Sequence, residues 1–267
     1  EPQGDKAVRG RVERRTYRFE AAGRDQEYAL FVPESYRAEA PAPLIVLLHG
    51  LGSNPQQVIG YDGITQQAAA RGYVVVAPFG YNERGWYGSR GKGKDGPFFG
   101  RAEDPDNLGE LSEQDVVNVL DIVRRELAID PDRIYLMGHS MGGSGTLYLG
   151  GRYPDVWAGL APLAPAVDRD TSRLEALRHL PIHLVTGDAD RLVRVESVRR
   201  WVAVMQQLGI VHDYVELAGG DHVRAIAKNP EMIAGVFDFF DKQRRPRAAA
   251  AATEPAETPA PAGTGGK

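Results

Sequence analysis

Apolar residues along this chain change their period several times, and each change marks a new element. Residues 11–32 alternate, first "RVERRTYRFE" and then "QEYALFV", with the turn "AAGRD" between them. Period two on both sides of a glycine-containing turn predicts an antiparallel hairpin. After Pro41 and Pro43 the alternation gives way to an unbroken apolar run, "LIVLL" at 44–48. Such a run reads as a strand covered on both faces, the usual pattern of a parallel sheet. "YVVVA" (73–77), "RIYLMG" (133–138), "WAGLAPLAPA" (157–166), "PIHLVTG" (181–187) and "HDYVEL" (212–217) follow as further strands.

Helical stretches fall between these runs. "DGITQQAAARG" (62–72) ends on a glycine, as helices commonly do. Within 112–129 the apolar positions 116, 119, 120, 123 and 127 have helical spacing, and Ser112 or Asp115 is the expected cap. Further helices are predicted over Met141–Tyr153, Ser172–His179, Val195–Leu208 and Pro230–Arg244. Strands alternating with helices imply an α/β fold: a mostly parallel central sheet, right-handed crossovers, helices on both faces and the hairpin at the N-terminal end.

Two segments break the alternation. Residues 80–111 form a long polar stretch rich in glycine and aromatics, and loops of that length in a compact domain usually carry function or lack order. From Pro246 the chain reads "PRAAAAATEPAETPAPAGTGGK", without core-forming residues. The expected division is a flexible start at 1–9, one catalytic-size domain at 10–245, and a disordered tail or linker at 246–267.

Composition narrows the chemistry. The 267 residues contain 32 Lys and Arg against 36 Asp and Glu, a net charge of −4, so no overall basic field attracts nucleic acid. There is no cysteine, which excludes disulfides, thiolate catalysis and cysteine-held metals. No apolar run approaches the length of a membrane span. The chain starts "EPQGDK", without methionine or an apolar leader. That start fits a mature form after signal removal, and equally a trimmed chain. A secreted or periplasmic location is the expectation, with the cytoplasm left open. Neither the oligomeric state nor a protein partner is indicated.

Four short motifs carry the candidate chemistry. Gly138-His139-Ser140-Met141-Gly142 follows a predicted strand and opens a predicted helix. A serine on such a turn is held in an unfavourable backbone conformation, and glycines two residues either side remove the collisions. The bland alternative is a glycine-rich turn. "LLHGLGSN" (47–54) leaves the end of an earlier strand, and the amides of Leu51 and Met141 are the natural pair of donors for a developing oxyanion. His49 is expected to turn inward and brace that loop. "LVTGDADRLVR" (184–194) offers Asp188 and Asp190 just after a strand; Asp190 is preferred because it fits a Gly-x-x-Asp-x-x-Val pattern in which Val193 packs back. "ELAGGDHVRAI" (216–226) places His222 late in the chain on a glycine-rich turn, whereas His179, His183 and His212 read as surface or core-edge residues. The side chain of Asp221, directly before His222, should point elsewhere.

The resulting order, Ser140, Asp190, His222, is that of the α/β-hydrolases. The chain resembles single-domain bacterial esterases of that fold, similar to feruloyl esterases and polyhydroxybutyrate-depolymerase-like enzymes. "PLIVLLHGLGSN", "GHSMGG", "GDADRLV" and "GGDH" carry the resemblance over residues 10–245. It implies a serine carboxylesterase working through an acyl-enzyme, without metal or cofactor and without a large lid, since 165–181 is short. An open cleft suits bulky, aromatic or polymeric esters. Trp86, Tyr87, Phe98 and Phe99 of the long loop are candidates for an aromatic wall, and His139 for a further substrate contact. Glu103, Asp104 and Asp106 suggest calcium less readily than a solvated loop. Two other readings stay open: a serine peptidase like prolyl-oligopeptidase catalytic domains, and a non-catalytic binding protein on the same fold.

Overall fold

The alternating residues near the N-terminus form β1 (Val12–Phe19) and β2 (Arg24–Phe31), paired antiparallel across a turn whose Gly23 is left-handed. The computed structural model describes residues 8–94 and 100–245. The sheet continues with β3 (Ala42–Leu48), β4 (Val74–Pro78), β5 (Ile129–His139), β6 (Gly159–Leu163), β7 (Ile182–Gly187) and β8 (His212–Leu217). Their spatial order is β1-β2-β4-β3-β5-β6-β7-β8, antiparallel up to the β2–β4 pair and parallel beyond it.

The continuous apolar runs are explained by burial on both faces. In β3, Leu44, Val46 and Leu48 point into one core and Ile45 and Leu47 into the other; Ile134 and Leu136 of β5 oppose Tyr135 and Met137 in the same way. The first face is covered by α3 (Leu108–Glu126), α4 (Met141–Arg152) and α5 (Val195–Gln207). The second is covered by α1 (Pro55–Ile59), α2 (Ile64–Arg71), α6 (Arg224–Ala227) and α7 (Pro230–Asp241). Each fully buried Leu, Ile or Phe contributes about 1.5–3 kcal/mol, so a polar substitution in β3 removes support from a whole face. This is the expected α/β architecture with an N-terminal hairpin and helices on both faces.

Several boundaries differ from expectation, each for a local reason. Helix α3 begins at Leu108, four residues before the predicted cap, so Ser112 and Asp115 lie inside it and are fully buried. They hold the preceding loop instead of capping: Ser112 Oγ accepts from the Tyr87 amide at 2.9 Å, and Asp115 accepts from the Gly80 amide and the Tyr17 hydroxyl, both at 2.6 Å. Strand β6 ends at Leu163, because Ala164 adopts φ +40. The predicted 172–179 helix is a 3-10 turn over Ser172–Leu177. The short α1 and α6 had no periodic signature to reveal them. No helix among the described residues is long and apolar enough to cross a membrane.

The loop after β4 is more closely held than its polarity suggested. Asp104 is buried rather than solvated, and takes hydrogen bonds from Arg84 at 2.7 and 2.8 Å, from Asn82 at 3.0 Å and from the Arg101 amide at 2.7 Å. Asp106 turns instead to Lys92, at 2.7 Å. Among the described residues no three His, Asp or Glu side chains converge as metal ligands do. Phe98 and Phe99, and the predicted tail from 246, lie outside the described residues.

Candidate active site

Ser140 stands between the last residue of β5 and the first of α4, at φ 57 and ψ −111. A non-glycine residue there is strained by about 1–3 kcal/mol. Its neighbours hold it in place: its amide donates to Leu163 O at 2.9 Å, and its carbonyl accepts from Ala166 N at 3.0 Å. The flanking glycines are obligatory in this packing. A Cβ on Gly138 would sit 2.3 Å from the carbonyl oxygen of Gly142, and one on Gly142 would sit 2.2 Å from that of Leu48.

Loops at the carboxyl ends of β7 and β8 bring two further groups to this serine. His222 Nε2 lies 2.8 Å from Ser140 Oγ, and His222 Nδ1 lies 2.6 Å from Asp190 Oδ2. The other Asp190 oxygen accepts from the amides of Leu192 and Val193, both at 2.8 Å. Two backbone donors and full burial of its side chain fix the carboxylate. Asp188 is turned away, accepting from Gly219 N at 2.6 Å. Asp221 accepts from the amides of Val223, Arg224 and Ala225, so it ties down the chain entering α6 and leaves His222 alone.

The β3 loop lies over the serine: a Cβ on Gly50 would be 3.5 Å from Ser140 Cβ. Leu51 is exposed at the cavity mouth. Met141 is the first residue of α4, so its amide has no acceptor within the helix. His49 is wholly buried, its ring nitrogens 2.8 Å from Gly50 O and 2.9 Å from Phe79 O, and burial lowers its pKa.

The remaining predicted contacts divide. Trp86 lines the cavity. Tyr87 does not line it: its side chain is fully buried behind the β3 loop, its hydroxyl accepting from the His49 amide at 2.9 Å. An aromatic in a polar loop looked like a wall, but this one is the loop's anchor. His139 reaches the cavity wall with both ring nitrogens engaged. Tyr61 donates to its Nδ1 at 2.9 Å, and its Nε2 donates to the backbone oxygen of His222 at 2.8 Å. A carbonyl oxygen only accepts, so the Nε2 proton is assigned. Burial first, and the neighbouring His222 second, push the His139 pKa down to about 4, so this imidazole is neutral.

The cavity in front of Ser140 has a volume of about 830 Å³. Its lining includes Tyr61 and Arg90, which belong to no recognisable motif, and Leu192 and Arg194, which flank Asp190 in "LVTGDADRLVR" but were given no role there. Arg90 follows Trp86 by four residues in the glycine-rich loop, and that spacing was the one available hint. The structure shows it buried, with its guanidinium 5.0 Å from the Trp86 ring centre.

Comparison with known proteins decides the family. The model of the Esterase family, described as "Putative esterase", matches residues 20–226. The chain belongs to the Esterase family. This family member is 32% identical over 145 residues to the S-formylglutathione hydrolase of Rattus norvegicus, covering 52% of this chain and 51% of the rat protein. The chain spans about half the length of the curated relatives it matches. The fold of this esterase-family chain is that of a ferulic acid esterase from Anaeromyces mucronatus, with TM-score 0.66, 16% identity, and coverage of 90% and 93% of the two chains. It is also that of an S-formylglutathione hydrolase from Agrobacterium tumefaciens, with TM-score 0.67, 17% identity, and coverage of 88% and 96%. At these identities the structural likeness establishes the α/β-hydrolase fold alone.

Proposed function

We propose that this protein hydrolyses carboxylic esters through an acyl-enzyme, with Ser140 as nucleophile, His222 as general base and acid, and Asp190 as the acid that orients His222. The observation carrying this reading is the unbroken hydrogen-bond line from Asp190 through His222 to Ser140, ending at a serine with strained backbone. Ser140 Oγ attacks the ester carbonyl while its proton passes to His222 Nε2. Asp190, accepting from Nδ1–H, fixes the tautomer and stabilises the cation that forms. The carbonyl oxygen becomes an oxyanion facing the amides of Leu51 and Met141; each such donor contributes about 3 kcal/mol to the transition state. Collapse breaks the bond to the leaving oxygen, which takes the proton from Nε2. Water then repeats the sequence on the acyl-enzyme, and Ser140 recovers its proton.

The cavity supports bulky or aromatic esters as substrates. Its volume exceeds what a small acyl group needs, and the 165–181 connection adds only the 3-10 turn over Ser172–Leu177. Trp86 supplies an aromatic surface, and His139 holds the loop that carries His222. The test is kcat/KM on p-nitrophenyl acetate, butyrate and octanoate and on methyl ferulate, alongside fluorophosphonate labelling. Ester turnover that Ser140→Ala reduces by about a thousandfold or more is the expected result. Labelling elsewhere than Ser140, or no turnover of any ester, would return the molecule to a binding role. Faster cleavage of p-nitroanilides than of esters would favour a peptidase.

A further inference from the structure

We propose that the cavity selects esters carrying an anionic group, a carboxylate or similar oxyanion, with Arg90 and Arg194 as its counter-charges. Such selectivity rests on the hydrolytic role of Ser140 proposed above. The chain as a whole is acidic, with net charge −4, yet the described residues lining the cavity include two arginines and no Asp or Glu. A neutral or cationic substrate gains no electrostatic attraction from those two guanidiniums.

Arg90 is the stronger indicator. It is only 8% exposed, and its guanidinium packs against Trp86. Its Nη2 donates to Ala166 O and to Asp168 Oδ2, each at 3.2 Å. Its Nε is buried without a hydrogen-bond partner. Leaving a charged donor buried and unpaired is costly, so such a group usually marks a missing partner. Asp168 does not cancel the charge: its side chain is 40% exposed, and Arg173 adds a second positive charge nearby. Arg245 also has a buried Nε without a partner, but it does not line the cavity. Arg15, Arg71, Arg84, Arg133 and Arg199 each pair with a carboxylate at 3.0 Å or less.

Arg194 sits at the start of α5, four residues past Asp190. It is exposed at the cavity edge and has no ion pair among the described residues. Positioned there, it adds attraction to an entering anion, weaker than that of a buried charge and screened by salt. The cavity thus offers one desolvated guanidinium with donors to spare and one solvated guanidinium at its edge. A carboxylate takes two parallel hydrogen bonds from such a group.

Two matched substrate pairs locate the anion. For the acyl part, the p-nitrophenyl monoester of glutaric acid is compared with p-nitrophenyl valerate. For the alcohol part, para-acetoxybenzoate is compared with para-acetoxybenzamide. The readout is the ratio of kcat/KM, anionic over neutral, which is insensitive to a general loss of active protein. A preference of roughly tenfold or more is expected in one arm. Arg90→Gln and Arg194→Gln should each lower it, Arg90→Lys should lower it less than Arg90→Gln, and added salt should lower it in the wild type. Arg194→Gln changes an exposed side chain, so the test survives if Arg90→Gln fails to fold. No anionic preference in either arm, or a preference unmoved by both substitutions, would overturn the proposal. If the wild type cleaves no ester, the hydrolytic reading fails separately; calorimetry of glutarate against glutaramide on the Ser140→Ala variant then reads the anion site directly. Glutarate binding that Arg194→Gln weakens would uphold it, and equal affinity for the two compounds would end it.

Discussion

Ser140 has its backbone at φ 57, held by backbone hydrogen bonds with Leu163 of β6, Ala166 just after it and Ser144 of α4. The acid that completes its hydrogen-bond line is the residue where substitution discriminates most sharply. Asp190→Asn would present an amide donor to His222 Nδ1 and stabilise the wrong tautomer. kcat/KM on p-nitrophenyl butyrate should fall by about three to four orders of magnitude, while Asp188→Asn, at an exposed site on Gly219, should stay within about twofold. Equal losses in the two variants would remove Asp190 from the proposed role. Both candidates were visible in "GDAD", and the valine three residues on was enough to prefer one. Ser140 and His222 were visible because each follows a strand on a glycine-rich turn. Tyr87, Asp104 and Arg90 were misjudged or unseen. Their burial depends on the long loop folding back over α3, and no periodicity records which polar residues of a loop will be covered.

At the level of the elements, the strands and long helices were legible because burial on both faces of a sheet leaves an unbroken apolar signature. Helix α3 shows where that legibility stops. Its first turn carries Leu108 and Leu111 beside glycine and glutamate, and Ser112 and Asp115 mimic caps while acting as anchors for residues 80–87. Glycine also has two meanings here. Gly142 has the Leu48 carbonyl where a Cβ would go, whereas Gly235, in the middle of α7, has nothing within 4 Å. Gly235→Ala should therefore raise stability by about 0.5–1 kcal/mol through helix propensity. Urea unfolding followed by circular dichroism measures this; a lower midpoint would show that α7 relies on that gap.

For the whole molecule, two buried imidazoles contribute to the response to acid. His139 has its pKa lowered from 6.5 to about 4 in the folded state, because burial disfavours its cation. The unfolded chain takes up this proton first. The contribution is complete above the unfolded value and is lost as pH falls from about 6.5 to about 4, amounting to about 3 kcal/mol. His49, lowered for the same reason, acts in the same direction. His139→Gln, which keeps one donor and one acceptor, should flatten the dependence of unfolding free energy on pH across that interval. Parallel curves for variant and wild type would show that the acid sensitivity lies elsewhere.

The strand order has a consequence for how the molecule comes into being. Ser140 sits at the end of β5, in the middle of the sheet, while Asp190 and His222 arrive on the loops after β7 and β8 at its far edge. A chain emerging from the ribosome therefore completes its proposed nucleophile some eighty residues before its proposed base. Until the last two strands dock, Ser140 lacks the His222 contact that the proposed mechanism requires. On the proposed mechanism, acyl transfer would begin only when the edge of the sheet closes.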